Sequence, residues 1–381
     1  MDGKRLIEKI RLRNILSFGD KGEELTLEPL NIIVGQNASG KSNLVDVIKL
    51  LRSLPREKGF INFINRSGGI NEWIWKGKKI IDIAEIEVSF PTYTRNLGEV
   101  LYSLAFDENY QRVNINNETI VFGKSKKQIT REEVGQGGVS QDESSLATKI
   151  LSGDKDANVR IVISNLKATL LSPVFFTDLQ TNRSSEIRKP QFPVATSDFL
   201  EEDASNLALV LNDLEHRGDI KDKIIENLKK FNPRIKDYSI RILGGTVQLF
   251  IREEGLEKPI SAMRLSDGTL RYLCLLAILC HPEPPPLICI EEPETGLHPD
   301  ILPTIAELMI EASQRTQLIV TTHSDILVSA FSEIPEAVLV CEKDEDGTHF
   351  KRLEKDKLKA WLKEYELGDL WLRGEIGGKR W

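Results

Sequence analysis

The run Gly35-Gln36-Asn37-Ala38-Ser39-Gly40-Lys41-Ser42 is an uninterrupted GxxxxGKS, a spacing suited to cradling a phosphate chain. Gly35 and Gly40 let backbone N–H groups turn inward around a β-phosphate, and a helix starting at Lys41 would add its positive end. Lys41 then serves as a point charge for β- and γ-phosphates, and the Ser42 hydroxyl as a ligand for Mg2+. Asn43 closes the predicted phosphate-binding stretch.

Three further groups could work with this loop. Leu287-Ile288-Cys289-Ile290 is an apolar strand that delivers Glu291 and Glu292 at its carboxyl end, the edge where ligands collect in an open parallel sheet. Glu291 is expected to hold or orient a metal and its water shell, and Glu292 to orient and deprotonate an attacking water. On its own such a pair is usually a solvated turn; the phosphate loop changes that reading. A second apolar strand, Leu318 to Thr322, leads to His323 and Ser324, and His323 can donate a hydrogen bond to a γ-phosphate. Leu265-Ser266-Asp267-Gly268-Thr269 opens an apolar helix, where Ser266, Gly268 and Thr269 could form an anion site, or Ser266 or Asp267 a plain N-cap.

These residues need an α/β frame. Leu6 to Leu12 alternates as a half-exposed strand, Leu25 to Val34 reads as a second strand, and Lys41 to Leu54 has helical spacing, giving strand, glycine loop, helix. Ile81 to Phe90, Glu99 to Phe106 and Gln111 to Phe122 read as strands of an antiparallel side sheet, followed by a polar, mobile loop at 123–145 with GQGG at 135–138. Helical patterns at 156–170 and 202–230 precede a strand pair from Ser239 to Arg252 with Gly244-Gly245 at its turn. The apolar helix Leu270 to Cys280 stops at HPEPPP, where successive prolines break its ladder. A buried strand at Leu287 to Ile290, a helix at Ile301 to Ala312, and strands at Leu318 to Thr322 and Ala337 to Cys341 complete a parallel α/β core.

The 381 residues carry a formal charge of −7 and are 40% hydrophobic, enough for a large core and unlike a surface built wholly to trap nucleic acid. The start MDGKRLIEKI has no signal-like apolar stretch, and the longest apolar run, Tyr272 to Cys280, is too short for a bilayer. A soluble, cytoplasmic protein is expected. Cys274, Cys280, Cys289 and Cys341 lack CxxC spacing and read as buried thiols.

In this order the four groups resemble the ABC ATPases, in particular the branch with the SMC, RecF and OLD (overcoming lysogenisation defect) proteins. The opening IRLRNILSFGD resembles that branch's first strands, LSDGT stands in place of the LSGGQ signature, EEPETGLHP resembles the OLD-type Walker B and D-loop, and THS carries the switch histidine. The resemblance implies an ABC-type P-loop NTPase fold: a mixed, mostly parallel sheet, an antiparallel side sheet and an inserted α/β subdomain. Its implied division is a core N-terminal lobe at 1–90, an inserted β-meander and helical subdomain at 91–259, a core C-terminal lobe at 260–345, and a C-terminal hairpin or helix with a Trp-rich tail at 346–381. It implies ATP and Mg2+ as ligands, hydrolysis of ATP to ADP and phosphate, and a head-to-tail homodimer formed on ATP binding. Ser266 and Gly268 of one subunit would then cap the γ-phosphate held by the other.

There are departures. Glu291 replaces the usual Walker B aspartate, Asp267 puts a negative charge beside the expected γ-phosphate contact, and no glutamine lies at 55–80, where a Q-loop equivalent belongs. Asp344-Glu345-Asp346 mimics the acidic pair of a TOPRIM nuclease but precedes Gly347 as a hairpin turn would. The ending LGDLWLRGEIGGKRW reads as a segment packed back on the core or a partner-docking site. Two functions stay open: a DNA-associated switch ATPase in genome defence or repair with a separate nuclease or other effector, and the ATPase subunit of a membrane transporter. A P-loop kinase fits the switch histidine and signature less well.

Overall fold

The computed structural model describes residues 3–78, 82–91, 98–123, 126–130, 142–147, 157–193 and 196–377. The chain starts with β1 (Lys9–Arg13), β2 (Glu23–Thr26) and β3 (Leu30–Gly35). The single strand expected from Leu25 to Val34 is therefore two. Pro29, which has no N–H to donate, stands at the break. There the Asn31 side chain accepts from Glu28 N (2.9 Å) and donates to its carbonyl (2.6 Å). This turn sends β2 and β3 into different sheets.

β3 lies in the central sheet with β8 (Val174–Phe176), β12 (Leu287–Glu291), β13 (Gln317–Thr322), β14 (Val338–Asp344) and β15 (Gly347–Arg352), in the order β15-β14-β3-β13-β12-β8. All neighbours are parallel except the β14–β15 hairpin, whose turn contains the acidic run 344–346. Every residue of β3 and β13 is buried, which accounts for their unbroken apolar sequence. Alternate residues serve opposite cores: Ile32, Val34, Leu318 and Val320 belong to one cluster, Ile33, Ile319 and Cys289 to the other.

The first core is closed by α4 (Leu207–Leu214), α5 (Ile220–Phe231), α6 (Asp267–Leu279) and α7 (Leu302–Ala312), whose apolar side chains line it. The second is closed by α1 (Lys41–Ser53), α2 (Gly59–Arg66), α3 (Ala157–Leu171) and an antiparallel side sheet. That sheet runs β2-β1-β4-β5-β6-β7, with β4 (Ala84–Phe90), β5 (Val100–Asn109), β6 (Arg112–Phe122) and β7 (Lys127–Thr130). Its pairing runs across residue 90, since β4 and β5 bond along the whole of β4. β7 lies within the stretch expected to be a loop, and GQGG at 135–138 is outside the described residues.

The helix expected over 202–230 is interrupted: α4 and α5 are separate, with Gly218 at φ +60° between them. The third sheet, β9 (Ile235–Leu243), β10 (Thr246–Glu253) and β11 (Ile260–Ser261), turns at Gly244 and Gly245, both at positive φ. All four cysteines are free and buried. At the carboxyl end, α9 (Leu367–Leu372) packs on α8 (Asp325–Ser329) so closely that a Cβ on Gly368 would lie 2.2 Å from the Asp325 carbonyl oxygen. Trp371 is buried there and Trp361 is partly exposed; Trp381 lies outside the described residues. Among the described residues no helix is long and apolar enough to cross a membrane.

Two polar joints tie the sheets together. The buried Gln317 amide accepts from Leu6 N (3.0 Å) and Ile7 N (2.9 Å) and donates to the carbonyls of Ile7 (2.8 Å) and Glu28 (3.1 Å). Gln317→Ala strands these groups in the interior and is expected to cost about 3 kcal/mol, read as a lower urea midpoint with unchanged slope. In the second joint, His349 lies between Glu23 (3.0 Å) and Asp344 (3.2 Å), while Glu23 also accepts from Phe350 N (2.7 Å). Burial by itself would lower the His349 pKa, but the hydrogen bond to Glu23 and the two carboxylate charges outweigh it and raise it. A raised folded-state pKa gives stability that is fully present below the unfolded value near 6.5 and fades as pH rises through the folded one. The urea midpoint advantage of the wild type over His349→Gln should therefore shrink from about pH 6 to pH 8.

Candidate functional site

β3 ends at Gly35, which pairs in parallel register with Cys341 of β14; a Cβ on Gly35 would lie 2.2 Å from the Cys341 carbonyl oxygen. The loop then turns through Gln36, Asn37 and Ala38, all exposed, with Ala38 at φ +61°. Ser39, Gly40 and Lys41 are buried, Ser42 is exposed and Asn43 is half-buried. Gly40 has φ +108°, and a Cβ there would come within 2.3 Å of Thr348 Oγ1 and 2.5 Å of Ser17 Oγ. α1 starts from Gly40 with no side-chain cap, so its first N–H groups are available to an anion.

A clamp holds this shape from behind. The Thr348 hydroxyl donates to the Ser39 carbonyl (2.7 Å) and lies 2.7 Å from Ser17 Oγ, which accepts from the Asn43 amide (2.6 Å). Cys341 Sγ lies 3.5 Å from the same Ser39 oxygen, and burial pushes its thiol up to about 11. Lys41 Nζ donates to the carbonyls of Gly35 (2.9 Å) and Gln36 (2.6 Å). Burial lowers its pKa, opposed by the charges around Cys341, Glu292, Glu291 and Glu294.

The two carboxylates and the histidine reach the same edge because β13 pairs with β3 on one side and β12 on the other. Thr322 is opposite Val34, and Thr321 is opposite Glu291. Glu291 ends β12 half-buried. Glu292 is exposed at φ +46°, its N–H bonded to the Thr321 carbonyl (2.9 Å). Its Oε1 lies 3.4 Å from His323 Nε2, and its Oε2 accepts a long bond from the Thr295 hydroxyl (3.4 Å). Lys41, Glu291, Glu292 and His323 thus lie close together at the end of β3, β12 and β13.

Glu294, which the sequence reading missed, joins β12 to β13. One oxygen accepts from the Thr322 hydroxyl (2.7 Å) and the His323 N–H (2.8 Å), while Oε2 is buried with no hydrogen bond. Burial raises its pKa against those bonds. Ser17 and Thr348 were also missed, because a lone hydroxyl far along the chain gives no local signal; Glu294 at least sits inside EEPETGLHP.

Ser266, Gly268 and Thr269 stand together at the start of α6. Ser266 is its N-cap, accepting from Thr269 N (3.1 Å), with the two hydroxyl oxygens 2.7 Å apart. Ser266 is exposed, Gly268 half-buried and Thr269 buried, so Thr269 supports Ser266. A Cβ on Gly268 would lie 3.0 Å from the Gly296 carbonyl oxygen, which sets the α6 terminus against the turn that follows Glu292. The Asp267 charge is paired with Arg188, a residue sequence reasoning did not single out.

The donors fit a magnesium-bound nucleotide. Gly35 and Gly40 let the loop pack closely on Cys341, Thr348 and Ser17, and the buried Ser39 hydroxyl has no hydrogen bond of its own. Ser42 and Glu291 are hard oxygen donors. Among the described residues no three His, Cys, Asp or Glu groups form a cage; Mg2+ favours few protein ligands, with phosphate and water completing its shell.

The chain is 23% identical over 384 residues to the Old nuclease of Escherichia phage P2, a match covering 90% of this chain and 60% of that relative, so it spans less than two thirds of the relative's length. Its fold is that of an Smc head solved with the C-winged helix domain of ScpA (TM-score 0.60, 17% identity, 92% of this chain and 99% of that one). It is shared by the Pyrococcus furiosus Smc head with an extended coiled coil, solved with the C-terminal domain of ScpA (TM-score 0.59, 15% identity, 94% and 99%). Residues 30–329 match the family described as "AAA domain, putative AbiEii toxin, Type IV TA system". With that match covering most of the chain, the protein belongs to this AAA-domain family and shares the fold of the Smc heads.

Proposed function

We propose that this chain binds Mg-ATP through Gly35–Ser42 and hydrolyses it as a head-to-tail dimer, acting as a nucleotide-gated switch. The observation that carries the reading is the 3.4 Å approach of His323 Nε2 to Glu292 Oε1 at the strand edge that holds the phosphate loop. In this reading Lys41 leaves the carbonyls of Gly35 and Gln36 for the β- and γ-phosphates, so nucleotide replaces two internal hydrogen bonds. The N–H groups at the start of α1 hold the β-phosphate. Ser42 and Glu291 would hold Mg2+, which when bound offsets charge on the phosphate oxygens. Glu292 takes the proton of the attacking water, and His323 donates to the γ-phosphate and keeps the Glu292 carboxylate aimed. Glu294 fixes the His323 backbone and so sets the distance between the two.

Ser266 and Gly268 of a second copy cap the γ-phosphate, so the dimer lasts while that phosphate is present. A DNA-linked role is supported by the likeness to the Old nuclease of Escherichia phage P2. The downstream act falls to a separate effector, a nuclease by analogy. Within this chain the acidic run at 344–346 is committed to structure: Asp344 accepts from Asp346 N and pairs with His349, and Asp346 pairs with Lys21.

Lys41→Ala should abolish binding of a fluorescent ATP analogue. Glu292→Gln should keep it, slow phosphate release by about a hundredfold, and accumulate an ATP-bound dimer visible by light scattering. Normal turnover in Glu292→Gln would remove the assignment of the base.

A further inference from the structure

A carboxylate at the start of α6 is electrostatically misplaced if this end is to receive a γ-phosphate, and the Asp267 side chain is 65% exposed. Arg188, in the short helical turn Glu186–Arg188, answers it from below with a side chain only 5% exposed. Its Nε donates to the carbonyls of Thr181 (2.8 Å) and Asn182 (3.1 Å), and Nη1 to those of Ala262 (3.2 Å) and Leu265 (2.7 Å). Nη2 donates to the Asp267 carboxylate. One buried guanidinium thus uses its planar fork to tie the 181–182 segment to the turn that delivers Ser266.

We infer that Arg188 is the positioning residue of the trans site: it sets the backbone that presents Ser266 and covers the charge of Asp267, so that α6 can receive a phosphate held by a second copy. This rests on the head-to-tail reading above. The carbonyls of Ala262 and Leu265 bracket the three residues before the N-cap, so their anchorage fixes where the Ser266 hydroxyl and the Gly268 backbone point. Asp267 keeps its favourable interaction with the helix N-terminus, while its repulsion of an incoming phosphate is cancelled by the arginine. A lysine could supply the charge but not the four-carbonyl fork.

The test uses the full chain with Arg188→Met, Asp267→Asn, their double variant and Ser266→Arg, reading fluorescent-analogue affinity, phosphate release and ATP-dependent dimerisation. Arg188→Met should leave analogue affinity within about twofold and lower phosphate release and dimerisation by about tenfold. The double variant should recover about threefold of that loss, because it removes the uncovered carboxylate. Asp267→Asn, at an exposed position, should by itself lower the ATP concentration for half-maximal dimerisation by about twofold, which keeps the idea testable if Arg188→Met fails to fold. No recovery in a folded double variant, or no shift in Asp267→Asn, would overturn the role of Arg188. If Ser266→Arg abolishes dimerisation while those results hold, the head-to-tail reading survives and the role of Arg188 falls; if Ser266→Arg dimerises and turns over normally, both fall.

Discussion

The parallel register of β13 between β3 and β12 is the constraint on which the site depends. Parallel strands end at one edge, so a loop following β3, an acidic pair following β12 and a histidine following β13 meet there whatever their separation in the chain. Register in such a sheet is fixed by burial on both faces. Leu318, Ile319 and Val320 are fully buried and alternate between two cores, so a slip of one residue would exchange every partner. It would also move His323 away from Glu292. Glu294 adds a polar pin by bonding the Thr322 hydroxyl and the His323 backbone together.

Electrostatically, the site stores its charges in pairs. Lys41, whose charged form burial disfavours, turns on two backbone carbonyls; Glu292 leans on His323; Asp267 leans on Arg188. In the proposed function Lys41 exchanges its two carbonyls for phosphate oxygens, and Glu292 takes the attacking water. Preorganised donors and acceptors of this kind supply much of the electrostatic stabilisation in phosphoryl transfer. The backbone contributes as well. Gly40 lies where a Cβ would meet Thr348 and Ser17, so the tight packing that shapes the cradle is possible only with glycine.

The rest of the molecule holds that edge still. The side sheet closes one core and is locked to the central sheet by Gln317 and by the Glu23–His349–Asp344 cluster, while Thr348, the residue before His349 on β15, supports the phosphate loop. The C-terminal helix packs on the helix that starts just after His323. The five parallel strands of the centre are thereby braced on both sides of that edge.

Local chemistry made much of this legible in the sequence. GxxxxGKS between an apolar strand and a helix, and two buried strands ending in Glu291-Glu292 and His323, announce a phosphate site because short-range pattern and composition determine strands, helix starts and glycine turns. The break at Pro29, the separation of α4 from α5 and the extra strand β7 were not legible: a split in an apolar run depends on which sheet each half can pair with, and that is a long-range choice. The same holds for Ser17, Thr348, Glu294 and Arg188, whose partners lie far off in sequence. The sequence by itself determined which residues could hold a phosphate and activate a water beside it; only the tertiary structure decided which distant side chains hold them in place, because a hydrogen bond or ion pair exists only once folding has brought donor and acceptor together.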